Sequence, residues 1–418
     1  MHIKPHERDF SLSQALSRVQ ADLDSLGWRH RLNELALGGG YTAIQCHLET
    51  GDGEAVESGA GSGKGFSDAA KVGAVYEALE HALTGSLILP ELDVMMRGVG
   101  ELRARGDAAP EKSFEKLAPQ HEARIACLRY RALDGGHGAD LPLYLWAPWY
   151  VLPTREAEGR RCLLGDTVDY RSVLPASVNS GCAVGATEDE ALLHAVNELI
   201  ERDALSLFLW RSIHNELPMP PRISLSALPR YLAHEVLRAE ELLGRNVYLL
   251  DLTTDIGVPV ALAFVPGEDG HLALHGVGAS LSPRVAVERA VSELVQVCLV
   301  RRVHPDAVDG TKAAARLAAH PRLLKCAQIR GGQRLESVAP VRELPDEPLN
   351  SLPASEQLEE VVSRVSWAGI RVFAHRIKRL PNGTSVVNVQ CPGLDKFHLI
   401  LQGNYASPGP RAKTDGMR

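Results

Sequence analysis

No apolar run in the sequence approaches the roughly 20 residues needed to span a bilayer; the longest, LYLWAPWYVL, is short and contains proline. The N-terminus MHIKPHERDFSLSQ lacks the apolar core of a signal peptide. Both absences point to a cytoplasmic protein that neither crosses nor sits on a membrane. Net positive charge is also missing: the formal charge is −7, so no bulk field favours nucleic acid or anionic lipid. The 7 cysteines (Cys46, Cys127, Cys162, Cys182, Cys298, Cys326 and Cys391) are odd in number and include no C-x-x-C pair. This argues against a structural zinc site and against a disulfide framework. The 16 histidines form no H-E-x-x-H. Any metal should therefore be a hard one held by carboxylates.

A chain of 418 residues, 45% hydrophobic and 23% charged, is long enough for two or three ordinary domains or one large one with internal repeats. Residues from about Asp9 to Leu35 read as a helix with Leu12, Leu16, Val19, Leu23 and Leu26 on one face. TAIQCHLETG, YLWAPWYVL, NVYLLDLTT, PVALAFVPG, RVFAHRI, SVVNVQC and FHLILQG read as strands. Long helices alternate with strands that look antiparallel, so the expected class is α+β. The stretch from Pro340 to Ser355 is proline-rich and reads as an exposed loop. The expected division is an N-terminal helix and strand region over residues 1–60, a catalytic domain over 61–405 and a flexible tail over 406–418.

One pattern occurs three times: GSGKGFSDAAKVGAVYEALEHAL, SGCAVGATEDEALLHAVNELIERDAL and GVGASLSPRVAVERAVSELVQVCL. Each has a glycine-rich segment, then Ser67, Thr187 or Ser282 at an expected helix N-cap, then an amphipathic helix. About three turns on come Glu77/Glu80, Glu198/Glu201 and Glu293/Gln296, whose spacing of three puts both members on one helix face. A single pair of this kind is usually a solvated face. Three at matching distance from a glycine turn suggest modules converging on one site.

Glu190, Glu198 and Glu201 lie along one stripe among Ala191, Leu192, Ala195, Leu199 and Ile200, and Glu77 and Glu80 have similar apolar neighbours. Carboxylates in such company are partly buried and need protons, cations or a metal to offset their repulsion. Several of them without His or Cys partners suit Mg²⁺, which completes its shell with water and phosphates, so a nucleoside triphosphate follows. Glycine-rich segments at helix N-termini suit phosphate, with Lys64 and Arg202 as candidate contacts. GSGKGFS is not a Walker A loop, and no G-x-G-x-x-G stands in a Rossmann context. His81 and His194 read as structural, and Cys182 has no partner pattern for a nucleophile.

The second block, ASVNSGCAVGATEDEALLHAVNELIERDAL, resembles the signature of the YcaO family, approximately S-N-G-x-A-x-G-x-T-x-x-E-A followed by E-x-x-E-R-D-A. The first resembles that family's G-K-G…S-x₃-E-x₂-E-R motif, and the third its A-x-x-E-x-x-Q motif. The chain departs at Gly73, where Ser is frequent, at His81, where Arg is frequent, and at Ser180, where S-N-G is usual. The resemblance implies a YcaO-type fold with mixed or antiparallel sheets around a central site for ATP and Mg²⁺. It implies nucleotide contacts from Lys64, Glu77, Arg202 and Gln296, and metal contacts from Glu80, Glu190, Glu198, Glu201 and Glu293. It leaves the general base unassigned.

The activity so implied is that of a peptide cyclodehydratase subunit. ATP phosphorylates a backbone amide oxygen, and Cys, Ser or Thr of a ribosomal precursor peptide becomes a thiazoline or oxazoline. The implied partners are that peptide, a separate leader-binding E1-like protein, an FMN dehydrogenase, and a second copy of the chain within a hetero-oligomer. Related reactions form thioamides or amidines. A non-catalytic scaffold subunit, and a ligase with its glutamates on strands, are the readings from other classes.

Overall fold

The computed structural model describes residues 5–36, 41–106, 111–267, 271–303, 310–331 and 352–413, with residues 334, 338, 340, 341, 343 and 344. Six helices of the described residues exceed ten residues: α1 (Leu12–Ser25), α2 (Ser67–Thr84), α3 (Glu188–Phe208), α4 (Arg230–Leu243), α5 (Pro283–Val303) and α6 (Ala354–Trp367). None is long and apolar enough to cross a membrane.

The chain forms two units. Unit 1 comprises residues 1–34, 44–199 and 353–394; unit 2 comprises 35–43, 200–352 and 395–418. The units interleave along the chain. Helix α3 passes from one to the other after Leu199.

Unit 1 holds a six-stranded sheet in the order Met95–Gly98, Arg124–Ala132, Phe373–Arg379, Ser385–Gln390, Cys182–Gly185, with Ala139–Pro142 also paired to Arg124–Ala132. Every pairing in it is antiparallel. The strands Trp28–Ala36, Tyr41–Thr50 and Ala55–Phe66 form a separate three-stranded sheet. The unit 1 core is aromatic at its centre, with Tyr130, Tyr144, Trp146, Tyr150 and Phe114 almost fully buried. Unit 2 holds a mixed five-stranded sheet in the order Leu274–Ala279, Val260–Val265, Tyr248–Asp251, Arg222–Ile223, Pro340–Val341. Only its last pairing is parallel. Leu232, Val236 and Ala239 of α4 and Ala286, Ala290 and Leu294 of α5 belong to one core with Leu249, Ala261 and Ala263 of that sheet. The class is α+β.

Several local expectations change. The first helix stops at Ser25, because Gly27 turns the chain with φ of 70°, and Trp28–Ala36 continues as a strand. Its half-buried Trp28, His30 and Leu32 alternate with exposed neighbours, which is the strand period. YLWAPWYVL is not a strand. Pro142 and Pro148 remove ladder donors, and a 3₁₀ turn at Leu143–Leu145 and a short helix at Pro148–Val151 replace it. FHLILQG is a buried 3₁₀ turn over Phe397–Gln402, closed by Gly403 at φ 74°. A continuous apolar run does not distinguish strand from buried helix. Ser67 is the first helical residue of α2 rather than its cap, whereas the Thr187 hydroxyl accepts from the Glu190 N–H (3.2 Å) and that of Ser282 from the Val285 N–H (3.4 Å).

The glycine segments are strands, not loops. Gly61 and Gly63 lie within Ala55–Phe66, Gly185 ends Cys182–Gly185, and Gly276 and Gly278 lie within Leu274–Ala279. A Cβ on Gly61 would come 2.2 Å from the Ala78 nitrogen of α2, and one on Gly276 would come 2.2 Å from the Ala290 oxygen of α5. These glycines let the following helix lie directly on its own strand.

Of the expected exposed loop, residues 342 and 345–351 lie outside the described residues, Pro340–Val341 form a strand and Ala354 opens α6. The described part of the expected flexible tail is anchored. Pro410–Lys413 is helical, and the Gly409 N–H donates to Asp395 Oδ2 at 2.7 Å.

Candidate functional site

In unit 1, Glu77 and Glu80 of α2 are both half-buried. Glu77 Oε2 accepts the Ser62 N–H at 2.7 Å, so the carboxylate is fixed against the strand that precedes its own helix. His81 Nδ1 lies 2.6 Å from the Ala60 carbonyl oxygen. A carbonyl only accepts, so Nδ1 carries the proton and Nε2 is the atom 3.9 Å from Glu77 Oε1. Lys64 is half-buried on the same strand.

Glu198 of α3 repeats this arrangement, with Oε1 accepting the Gly181 N–H at 3.2 Å. Gly181 has φ of 75°, and a Cβ there would meet the Val389 oxygen at 2.1 Å, so only glycine fits. The Ser180 carbonyl beside it accepts from Asn388 Nδ2 (3.3 Å) and Gln390 Nε2 (3.5 Å), both buried, and Tyr130 donates to Asn388 Oδ1 at 2.7 Å. Asn388 and Gln390 were not among the expected site residues. The available signal was two amides alternating with valines in SVVNVQC, where a core strand should carry none. Cys182 is buried in a strand, with the Asn388 amide 3.3 Å from its sulfur.

Glu190, expected as a metal ligand, is buried and bonded to backbone N–H groups. Its Oε1 accepts the Asp9 N–H at 2.5 Å, its Oε2 accepts the Ala186 N–H at 3.2 Å, and Arg8 lies 3.9 Å away. As the third residue of α3 it faces the helix N-terminus, where backbone N–H groups attract a carboxylate.

In unit 2, Glu201 Oε1 accepts the Ala279 N–H at 2.7 Å. This ties the middle of α3 to the strand Leu274–Ala279, which leads into α5. On α5, Glu293 and Gln296 are half-buried one turn apart, and the Glu293 Cβ lies directly over Gly276. Desolvation lowers the pKa of His275, and Glu293 works against that shift. His398 is held well below the ordinary imidazole value by burial, then by Arg202, Lys396 and His275. Arg202, Glu293, His275, Lys396 and His398 therefore form one electrostatic neighbourhood.

Asp203, next to Arg202, is fully buried. Burial pushes its pKa up to about 6 against the pull of Arg411. Arg411 Nη2 lies 3.1 Å from Asp203 and 2.6 Å from Asp255, and the Asp395 N–H donates to Asp203 at 2.7 Å.

Among the described residues, no three His, Cys, Asp or Glu side chains gather as an all-protein metal cage. Mg²⁺ does not require one, since it is held by one or two carboxylates plus water and phosphate oxygens. Half-buried carboxylates with one oxygen tied to a backbone N–H suit that role, and Glu198 and Glu201 have this form, as does Glu77, expected at the nucleotide.

The sequence model of the family described as "YcaO cyclodehydratase, ATP-ad Mg2+-binding" matches residues 62–395. A curated relative, the "Uncharacterized protein in tfuA 3'region" of Rhizobium leguminosarum bv. trifolii, is 30% identical over 275 residues. The match covers 59% of each chain, less than two thirds of that relative's length. Among solved structures, YcaO from Methanopyrus kandleri bound with AMPPCP and Mg2+ superposes with a TM-score of 0.66 at 21% identity, covering 97% of both chains. A heterocyclase in complex with substrate and cofactor gives 0.66 at 20% identity, covering 94% of this chain and 53% of that one. At these identities the structural matches establish the shared fold.

Proposed function

Because the chain belongs to the YcaO family, we propose that it uses ATP and Mg²⁺ to activate backbone amides of a ribosomally made precursor peptide, closing Cys, Ser or Thr onto the preceding carbonyl as azolines. The observation that carries this reading is the shared geometry of Glu77, Glu198 and Glu201. Each is half-buried on a helix with one oxygen fixed by a backbone N–H. Such carboxylates are pre-positioned, Glu198 and Glu201 for a hard cation and Glu77 for the nucleotide it carries, without side-chain reorganisation.

We assign Glu80, Glu198, Glu201 and Glu293 to the metal, and Lys64, Glu77, Arg202 and Gln296 to the nucleotide. Bound Mg²⁺ offsets charge on the phosphates. An amide oxygen is a poor leaving group, and phosphorylation makes it a good one. The chain's own residues hold the triphosphate and the peptide carbonyl in line, and positioning of this kind accounts for much of the rate gain. A leader-binding protein, an FMN dehydrogenase acting afterwards and a second copy of the chain complete the proposed cytoplasmic assembly.

Thioamide formation is the second reading. The same activated amide would accept external sulfide.

The test incubates the protein with ATP, a candidate precursor and its partner, and follows phosphate release and peptide mass. Loss of one water per residue supports azolines, and exchange of oxygen for sulfur supports the thioamide. Phosphate release that Glu201→Gln leaves unchanged rejects the assigned residues. A protein that binds the peptide but releases no phosphate is a scaffold.

A further inference from the structure

Ser206 is fully buried on α3, and its hydroxyl meets four polar atoms of unit 2. Its Oγ lies 2.6 Å from the Arg202 carbonyl oxygen, 3.2 Å from that of Asp395, 2.8 Å from the His398 backbone nitrogen and 3.1 Å from His398 Nδ1. A hydroxyl has one proton and two lone pairs. Both carbonyls can only accept, so the proton goes to the nearer, that of Arg202. The His398 backbone N–H donates into one lone pair. The remaining contact is a hydrogen bond only if Nδ1 carries hydrogen and donates into the other. Neutral His398 is therefore assigned, from this network, as the Nδ1–H tautomer, with its basic lone pair on Nε2.

His398 and the Arg202 backbone share the Ser206 hydroxyl, and the charges of Arg202, Lys396 and His275 disfavour protonation of His398, while His275 in turn feels Glu293. Nearby Asp203 is engaged by Arg411. A buried, oriented, neutral imidazole thus lies among residues given above to nucleotide and metal, in a site whose base was unassigned.

We propose that Nε2 of His398 accepts the proton of the attacking nucleophile; the proposal rests on the function assigned above. As the new C–S or C–O bond forms at the amide carbon, the thiol or hydroxyl proton moves to Nε2. The carbonyl oxygen then takes the γ-phosphoryl group of ATP, and its bond to the β-phosphate oxygen breaks, releasing ADP. Phosphate departs with the former amide oxygen as C=N forms, carrying the amide proton, and the imidazolium returns its proton to water. The bound triphosphate offsets the positive charge of Arg202 and Lys396, so His398 becomes more basic when nucleotide is present.

Two measurements test this. In the free protein, ¹⁵N-histidine NMR should show the Nδ1–H tautomer for His398, and the Nε2–H tautomer overturns the proposal. In the complete assembly, His398→Ala should lower product formation on the order of 10²–10³-fold. It should leave ATP affinity unchanged, abolish the acid limb of the kcat/KM profile and be rescued by added imidazole. Full turnover with the acid limb intact overturns the proposal. If His398→Ala does not fold, Ser206→Ala removes the acceptor that orients Nδ1–H while keeping the imidazole. It should reduce kcat about tenfold at unchanged KM for ATP, and an unchanged kcat overturns the proposal. Wild-type protein that releases no phosphate with peptide and partner refutes the assigned function itself, whereas the tautomer measurement is independent of it.

Discussion

Two buried carboxylates, one in each unit, are held in different ways. Asp166 of unit 1 accepts four hydrogen bonds from uncharged donors: the N–H groups of Ala126 (3.1 Å) and Val168 (3.0 Å), and the hydroxyls of Tyr150 (2.8 Å) and Tyr170 (2.6 Å). Asp203 of unit 2 accepts the Asp395 N–H and otherwise depends on a cation, Arg411, near the far end of the chain. Asp166 is therefore neutralised by dipoles, whereas the likewise buried Asp140 of the same unit is paired with Arg97, Arg105 and Arg129. In unit 2 the residue beside Arg202 is held by a partner more than two hundred positions away.

The sharpest way to break this comparison is at the glutamates. Glu201→Ala should cut turnover on the order of 10³-fold, about 4 kcal/mol of transition-state stabilisation, without unfolding the chain, as read by single-turnover kinetics and circular dichroism. Glu77→Ala should cost less, because it is assigned to the nucleotide, and should appear mainly as weaker ATP binding. Equal losses in kcat from the two variants would erase the distinction.

Next comes the buried charge. Arg411→Ala should destabilise unit 2 by about 3 kcal/mol at pH 8, measured by urea unfolding, because Asp203 is left buried without its cation. The sign with pH follows from the raised pKa. Below about pH 4 Asp203 is protonated in both folded and unfolded chains. Between there and about 6, the folded state holds a proton that the unfolded state has lost, so stability falls as pH rises through that window. Removing Arg411 raises the folded pKa further and extends the fall above 6, so the variant's deficit should shrink towards pH 5. Tyr170→Phe in unit 1 should cost about 1–2 kcal/mol, with no such pH dependence between 5 and 8. A pH-independent Arg411→Ala would remove the contrast.

Smaller effects lie in the packing. Gly276→Ala should cost about 2 kcal/mol, because its Cβ would meet the Ala290 oxygen at 2.2 Å. Glu190→Gln should cost only about 1 kcal/mol and leave ATP affinity unchanged in a titration, because Glu190 anchors Asp9 and the helix start.

The helices and their carboxylates were legible in the sequence because spacing along one helix is local information. E-x-x-E fixes a shared face whatever packs against it. The glycines were misread for the opposite reason. GSGKG and GVGAS look like turns until it is known that α2 and α5 fold back onto those very strands, and that return is a tertiary fact. The contacts of Glu190 with Asp9 and Arg8 were not legible, because those residues lie more than 180 positions earlier. The tail looked loose because PGPRAK is polar and proline-bearing, and the ion pair with Asp203 is invisible without the fold. His398 carried no signal beyond a lone histidine in an apolar run.

The strand order of unit 1 bears on how the protein is made. Phe373–Arg379 and Ser385–Gln390 lie in the middle of the six-stranded sheet, between Arg124–Ala132 and Cys182–Gly185. During translation the flanking strands emerge first and must wait, edges unpaired, until the segment from Phe373 to Gln390 has been made. A nascent chain stalled before residue 373 would carry two open strand edges and no way to join them. Chaperone demand should therefore peak late in synthesis, and fragments ending early should aggregate rather than fold.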